Sequence, residues 1–296
     1  MTGMLVLGAN GQVGRQLVRG ASEQGLAATA LTRSDLDITN QQAVEDSVLR
    51  LKPDVVVNAA AYTAVDRAES EPEKALAVNA EGPGYLAEAC ARQGAVLVHL
   101  STDYVFDGKK TGAYTESDEV APLGVYGRSK EAGEQAIRRH LDRHIILRTS
   151  WVYGLDGNNF VKTMLRLATE REEVSVVADQ VGCPTWAGDL AGAVFAAAGK
   201  RHHRAEDREF FGTFHCAGDG QTSWHGFAEA IFRHARARGF QVPRVLNKIS
   251  SAEYPAAAPR PANSVLDCSR FAHTYGYRMP RWEESLARML DGCLKP

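Results

Sequence analysis

The chain has 296 residues, 44% of them hydrophobic, and a formal net charge of −2. That length allows one large domain or two modest ones with a sizeable core, and the near-neutral balance argues against nucleic acid or a membrane surface as partner. No apolar run approaches the roughly 20 residues of a membrane-spanning helix, the N-terminus lacks the features of a secretory signal, and the five scattered cysteines (Cys90, Cys183, Cys216, Cys268, Cys293) indicate neither a disulfide framework nor a zinc site, so a cytoplasmic location is expected.

From Met4 to Arg148 short apolar runs alternate with helical patterns. The runs are MLVL (4–7), AATAL (27–31), DVVVN (54–58), AVLVHL (95–100) and HIILR (144–148). They do not alternate polar with apolar, as expected of strands covered by helices on both faces. Ser70 with Glu73 has the spacing of a capping box, and Pro72 lies in the first turn of a helix running towards Arg92. Strand–helix alternation predicts right-handed βαβ units and a parallel, doubly wound α/β sheet. After Trp151 the rhythm changes. The pattern predicts a helix over 158–171, a strand VSVV (174–177), a helix over 187–198, a strand at 212–216 and helices near 224–238 and 281–293. The charge run KRHHRAEDRE (200–209) reads as a solvated loop without function, since His202 and His203 lack metal-ligand spacing. The proline-rich stretch EYPAAAPRPANS (253–264) reads as an ordered loop.

Gly8, Gly11 and Gly14 stand at GxxGxxG spacing between the first strand and the first helix. Glycines there permit a tight turn and a close approach to a pyrophosphate, which the free N–H groups at the helix start attract. A dinucleotide site is expected. The window about 20 residues on reads Leu31-Thr-Arg-Ser34, with Arg33 where an NAD site would place an acid. A guanidinium suits a 2′-phosphate, so NADP(H) is preferred, with Asp37 and Ile38 flanking the adenine. Tyr126 and Lys130, four apart, share a helix face. An ammonium beside a phenol lowers its pKa from about 10, and the phenol can then give its proton to a carbonyl oxygen as hydride reaches carbon. Ser101 and Thr102 follow the run ending at Leu100, and Asn58-Ala-Ala-Ala-Tyr-Thr63 ends another. Ligands of open α/β sheets bind beyond such strand ends.

These segments resemble the extended short-chain dehydrogenase/reductase superfamily, and within it the dTDP-4-dehydrorhamnose reductase branch. The pieces that carry the resemblance are GANGQVG (8–14), LDIT (36–39), PDVVVNAAAYTAVDRAESEP (53–72), STDYVFDG (101–108), APLGVYGRSKEAGE (121–134), RTSWVYG (148–154), NNFVKTMLRLA (158–168), DQVGCPTWAGDLA (179–191) and RPANSVLD (260–267). The resemblance implies a Rossmann domain over 1–150, with part of 175–217 returning to it, and a smaller C-terminal α/β lobe over 151–174 and 218–296 that binds a sugar nucleotide. It implies NADPH as cofactor, with NADH as an alternative, and reduction of a C4 ketone. Thr102, Tyr126 and Lys130 would be catalytic: Tyr126 protonates the oxygen, Thr102 polarises it, and Lys130 tunes the phenol and grips the nicotinamide ribose. Gly11, Gln12 and Val13 would line the dinucleotide, with Ala61, Tyr62 and Thr63 approaching from the third strand. Asp103 and Trp151 would contact the sugar, and Arg260 and Asn263 the nucleotide diphosphate.

Some members of the branch form a magnesium-bridged dimer on helical carboxylates. Arg15 and Gln16 stand where that mode wants a carboxylate, so no metal site is expected, and a homodimer of another kind stays open. The run Thr102-Asp103-Tyr104 lacks the glutamate of related dehydratases. An epimerase, or a non-catalytic subunit like the regulatory beta subunit of methionine adenosyltransferase, remains as an alternative.

Overall fold

The computed structural model describes residues 2–199 and 208–294. Most of the charge run, with His202 and His203, lies outside the described residues. The first half contains β1 (Thr2–Leu7), α1 (Gln12–Gly20), β2 (Leu26–Leu31), α2 (Gln41–Leu51), β3 (Val55–Asn58), α3 (Val65–Ala68), α4 (Pro72–Leu76), α5 (Gly82–Gln93), β4 (Val96–Thr102), α6 (Val125–His140) and β5 (His144–Thr149). The second half contains β6 (Val152–Tyr153), α7 (Phe160–Glu170), β7 (Glu173–Val177), β8 (Val181–Gly182), β9 (Thr185–Trp186), α8 (Ala187–Ala198), β10 (Gly212–His215), β11 (Thr222–Ser223), α9 (Trp224–Ala237), β12 (Val245–Ile249), α10 (Ser269–Tyr275) and α11 (Trp282–Cys293).

Six strands form the central sheet in the order β10-β5-β4-β3-β1-β2, every pair parallel. Successive side chains of a strand point to opposite faces, and here both faces are covered except at the edge strand β2, whose residues 27–30 are exposed. Met4, Val6, Val55, Val57, Val96 and Val98 pack with α1 and α8 on one side. Leu5, Leu7, Val56, Leu97 and Ile146 pack with Val44 and Val48 of α2, Leu86 of α5 and Ile137 of α6 on the other. That is why the strands read as unbroken apolar runs. A separate core forms around Val161, Met164, Val174, Phe227, Ile231 and Leu286, where β7 and β12 pair in parallel. The chain leaves β1 towards β2 on one side and returns to β3 on the other, so a switch point opens between the carboxyl ends of β1 and β3.

Two local expectations fail. Ser70 caps nothing: α4 has Glu71 at its N-cap without a side-chain bond, and Ser70 Oγ donates instead to the Arg67 carbonyl at 3.0 Å. The short α3 directly upstream captures it. The helix towards Arg92 is also interrupted, by a π-helical turn over Ala77–Glu81 between α4 and α5; such turns often occur at functional sites. The stretch 253–264 is pinned to both halves: Ala258 N–H donates to Asp66 Oδ1 at 3.1 Å, and Val181 N–H to the Ala262 carbonyl at 2.8 Å.

Candidate active site

The glycine loop lies at the switch point. Gly8 has φ +73°, and a Cβ there would come within 2.6 Å of Ala60 N. A Cβ on Gly14 would lie 2.2 Å from the Gly8 carbonyl oxygen, so this glycine seats α1 against the loop. Gly11 is the N-cap of α1, which has no capping side chain and no acid in its first turn; its N-terminal N–H groups and dipole suit an anion. Val13 points into the sheet's core, leaving only its backbone to face a ligand. Gln12 Oε1 accepts from Asn159 Nδ2 at 3.0 Å and so links the loop to the C-terminal half. A cleft of about 270 Å³ in front of the loop is lined by Gly8, Gly11, Arg33, Asp37, Ile38, Ala61 and Tyr62. Thr63 lies on the exposed side of this segment.

Arg33 is exposed and reaches Asp37, with Nη2 3.3 Å from Oδ2. The Thr39 N–H, against some burial, holds the Asp37 carboxyl below its usual range, with Arg33 contributing less. Tyr62 is fixed by a residue that sequence reading missed. Asn79, in the π-helical turn, accepts from Tyr62 N–H at 2.8 Å, donates to the Tyr62 carbonyl at 3.0 Å, and donates to Ser129 Oγ at 3.0 Å. It thereby ties the 59–63 segment to α6. Its only sequence signal is a polar residue in the middle of a helical pattern.

Thr102, Tyr126 and Lys130 converge where β4 ends against the start of α6. Thr102 Oγ1 donates to Asp103 Oδ1 at 3.0 Å and accepts from Tyr104 N–H at 3.2 Å. Tyr126 packs edge-on against Tyr104, ring centroids 5.6 Å apart. Burial pushes its phenol up to about 12, while the Thr102 hydroxyl pulls it down and the Asp103 charge pushes it further up. Lys130 is 1% exposed. Its Nζ donates to the Leu100 carbonyl at 2.7 Å and lies 3.2 Å from His99 Nε2. Burial drives it down to about 8, against the nearby Glu134 charge. The expected lowering of the phenol by Lys130 is therefore not seen in this state, because the ammonium group is turned to β4 and burial dominates. Asp103, also buried, is pushed up to about 7, with the Ser264 and Thr102 hydroxyls opposing.

Trp151 has φ +47°, a costly conformation for a bulky residue and one found at functional sites. Its ring is not open on both faces: Trp224 stacks on it at 3.5 Å and 7°. Trp224, Phe160, Met164, Val176, Tyr254 and Arg260 line a cleft of about 570 Å³. Trp224, unmarked in the sequence reading, opens α9 directly behind its N-cap Ser223. Arg260 Nη2 donates to Asp66 Oδ2 at 2.8 Å. Asn263 is otherwise engaged. Its Nδ2 donates to the Lys110 and Gly112 carbonyls at 2.8 and 2.7 Å, and its Oδ1 accepts from Val265 N–H at 3.1 Å. In this state its side chain braces the loop. A wider cleft of about 860 Å³, bounded by Ala113, Asp219, Asp267, His273 and Arg278, contains none of the predicted site residues. Among the described residues no three His, Cys, Asp or Glu side chains cluster to hold a metal ion.

Beneath the site, Glu134 anchors α6 to the sheet. It is 0% exposed, accepts from Ser101 Oγ at 2.5 Å, from Arg148 Nε at 3.0 Å and Nη2 at 2.7 Å, and from Arg138 Nη1 at 3.0 Å. Burial opposes its charge, but the Arg148 fork, the Ser101 hydroxyl and the Arg138 charge together hold the carboxyl below its usual range.

A family model described as the RmlD substrate binding domain matches residues 1–294. The chain belongs to that family. It is 46% identical to the dTDP-4-dehydrorhamnose reductase of Sinorhizobium fredii, over 98% of this chain and 97% of that protein. Its structure matches the crystal structure of a dTDP-4-dehydrorhamnose reductase from Clostridium acetobutylicum with TM-score 0.91 and 40% identity, covering 99% of each chain. The Bacillus anthracis dTDP-4-dehydrorhamnose reductase, in complex with NADP, matches with TM-score 0.90 and 39% identity, covering 99% of this chain and 100% of that one. Family membership thus agrees with the six-stranded parallel sheet, and no helix among the described residues is long and apolar enough to cross a membrane.

Proposed function

We propose that the chain reduces the C4 ketone of dTDP-4-dehydro-L-rhamnose to dTDP-L-rhamnose with NADPH. The observation that carries this reading is the convergence of Tyr126, Thr102 and Lys130 at the carboxyl end of β4, beside a glycine cradle that a Cβ would fill. When bound, the reduced nicotinamide supplies the hydride. Gly8, Gly11, Gln12 and the backbone of Val13 hold the pyrophosphate, and Gly14 keeps α1 seated to receive it. Arg33 reads the 2′-phosphate, Asp37 and Ile38 border the adenine, and Ala61, Tyr62 and Thr63 form the opposite wall. The NADP complex of the Bacillus anthracis relative supports this choice of cofactor.

Tyr126 Oη gives its proton to the ketone oxygen. A phenol pushed up by burial keeps that proton until negative charge develops on the substrate, which suits a reductive step. Thr102 orients the oxygen, and Lys130, in its protonated form, supplies positive charge one helical turn away. Asp103 and Trp151 border the hexose. The apolar cleft behind Trp224 takes the base, and Arg260 at its wall reaches the diphosphate once it exchanges Asp66 for phosphate oxygens. The division into a dinucleotide part (1–150, with part of 175–217) and a sugar-nucleotide part (151–174 and 218–296) follows from this reading. The separate core around Phe227 supports it, although Phe271 and Tyr275 pack on the sheet side. A cytoplasmic location fits five free cysteines.

The test is Tyr126→Phe with NADPH and the 4-keto sugar nucleotide generated by the preceding enzymes. A positioned general acid contributes about 10²–10⁴ in rate, so kcat should fall by that factor with NADPH affinity kept. Unchanged turnover overturns the reading. Tight NADPH binding without turnover in the unmutated protein favours the non-catalytic alternative.

A further inference from the structure

His99 is fully buried in the middle of β4 and belongs to no step derived above. It lies within a chain of polar contacts that runs from the end of β3 to the catalytic lysine. Ala60 N–H donates to Asn58 Oδ1 at 3.1 Å. Asn58 Nδ2 lies 3.1 Å from His99 Nδ1. His99 Nε2 lies 3.2 Å from Lys130 Nζ, which donates to the Leu100 carbonyl at 2.7 Å.

The donor inventory leaves one consistent arrangement. A backbone amide only donates, so Asn58 must turn its oxygen to Ala60 and its NH₂ to the imidazole. That NH₂ also only donates, so His99 Nδ1 must accept. A neutral ring then carries its proton on Nε2, aimed at Lys130. An ammonium has no lone pair to receive it, whereas an amine has one and can still donate to Leu100. We propose that Asn58 and His99 are positioning residues for Lys130: the amide decides which imidazole nitrogen is protonated, and that N–H selects the uncharged lysine.

The surroundings agree. Burial, then the Lys130 charge, holds His99 well below the usual imidazole range, which keeps the ring neutral. Glu134, one turn further on α6, favours a charged lysine, but its carboxylate is engaged by Ser101, Arg148 and Arg138. Asp103, Tyr104 and Tyr126 are further titratable groups at this end of β4, with Arg260 beside Tyr104, and Asn79 of the π-helical turn is taken up by Tyr62 and Ser129. The kinetic consequence rests on the reductase reading. A lysine that gives up its proton readily stops assisting Tyr126 as pH rises, so the Asn58–His99 pair sets the basic limb of the pH–rate profile.

The experiment is ¹⁵N NMR of histidine-labelled protein without cofactor, with His99 assigned by the signals that vanish in His99→Gln. The expected spectrum is the Nε2–H tautomer near neutral pH; an Nδ1–H tautomer or an imidazolium overturns the proposal. Asn58→Asp, which keeps the side-chain shape, supplies a second arm. Its carboxylate accepts from both Ala60 N–H and His99 Nδ1–H, so Nε2 becomes an acceptor for the ammonium. The tautomer should switch, and the basic limb of kcat/KM should move up by about 1 pH unit or more. A limb that moves while the tautomer stays unswitched attributes the shift to the added charge alone and also overturns the proposal. If the unmutated protein turns nothing over, the reductase reading fails, while the tautomer result still decides this inference.

Discussion

The second turn of α6 and its third turn each bury an ionisable group, and the fold provides for them in opposite ways. Glu134 is met by two arginines and a serine hydroxyl, with the Arg148 fork closing at 2.7 Å. Lys130, one turn earlier and as deeply buried, meets a carbonyl and an imidazole, and among the described residues no carboxylate pairs with it. The paired group keeps its charge against burial; the group without a counter-charge is driven down to about 8. The charge that joins helix to sheet is neutralised by several partners, while Lys130 is left with a carbonyl and an imidazole.

Glu134→Ala tests the first half of that contrast with the largest expected effect on stability. It leaves Arg148, 3% exposed, with only the longer contact to the Glu131 carboxylate at 3.8 Å. Breaking a buried pair in this way costs about 3–5 kcal/mol, read as a shift of the urea midpoint at constant slope. A loss below about 1 kcal/mol would mean that water reaches Arg148 and that the contrast with Lys130 is false.

Lys130→Met tests the second half. It removes the cost of desolvating an amine but leaves the Leu100 carbonyl without its donor, a penalty of about 1–3 kcal/mol. The pH dependence separates the two terms. A lysine lowered from 10.5 to about 8 binds fewer protons folded than unfolded between those values. Stability of the unmutated protein therefore rises with pH across that window. Relative to the Met variant the gain should reach about 3 kcal/mol. Tyr126, held near 12, titrates alike in both proteins and cancels. A flat difference across the window would mean that Lys130 is not desolvated.

The contrast also marks what the sequence could reveal. The central strands β1, β3, β4 and β5 were legible because both faces are covered, so each contains a continuous apolar run; the edge strand β2 is exposed and was legible from its alanines and leucines alone. Tyr126 and Lys130 were legible because helical spacing fixes their shared face. The partners that set their chemistry were not. Glu134 and Arg148 are 14 residues apart in different elements, and His99 sits within an apolar run whose pattern says nothing of its ring. Trp151 was read as a flat ring beside a sugar, but its stack with Trp224 joins residues 73 positions apart. The brace that Asn263 makes to the carbonyls of residues 110 and 112 was likewise invisible, because those partners lie about 150 positions away. β12 was missed because VLNKI is short, half-exposed and defined by pairing with β7. Periodicity reports what each residue faces on average, whereas a site depends on which remote group meets it.

Arg33 and Asp37 add a third condition to the comparison, a charge pair that is matched but wet. The Arg33 side chain is 72% exposed and its contact with Asp37 is 3.3 Å long, the kind of pair that contributes about 0–1 kcal/mol. Breaking it to reach a 2′-phosphate therefore costs little, and the gain is correspondingly screened. Arg33→Ala should lower the ratio of kcat/KM for NADPH over NADH by no more than about tenfold, or 1.4 kcal/mol, with thermal stability unchanged. Asp37→Asn should shift the ratio the other way, since it removes the carboxylate that competes for the guanidinium and repels the phosphate. The two changes are not independent, because each removes the other's partner, so the double variant should fall between them. A ratio that stays fixed in Arg33→Ala would mean that the guanidinium remains with Asp37 when cofactor is bound and does not read the 2′ position.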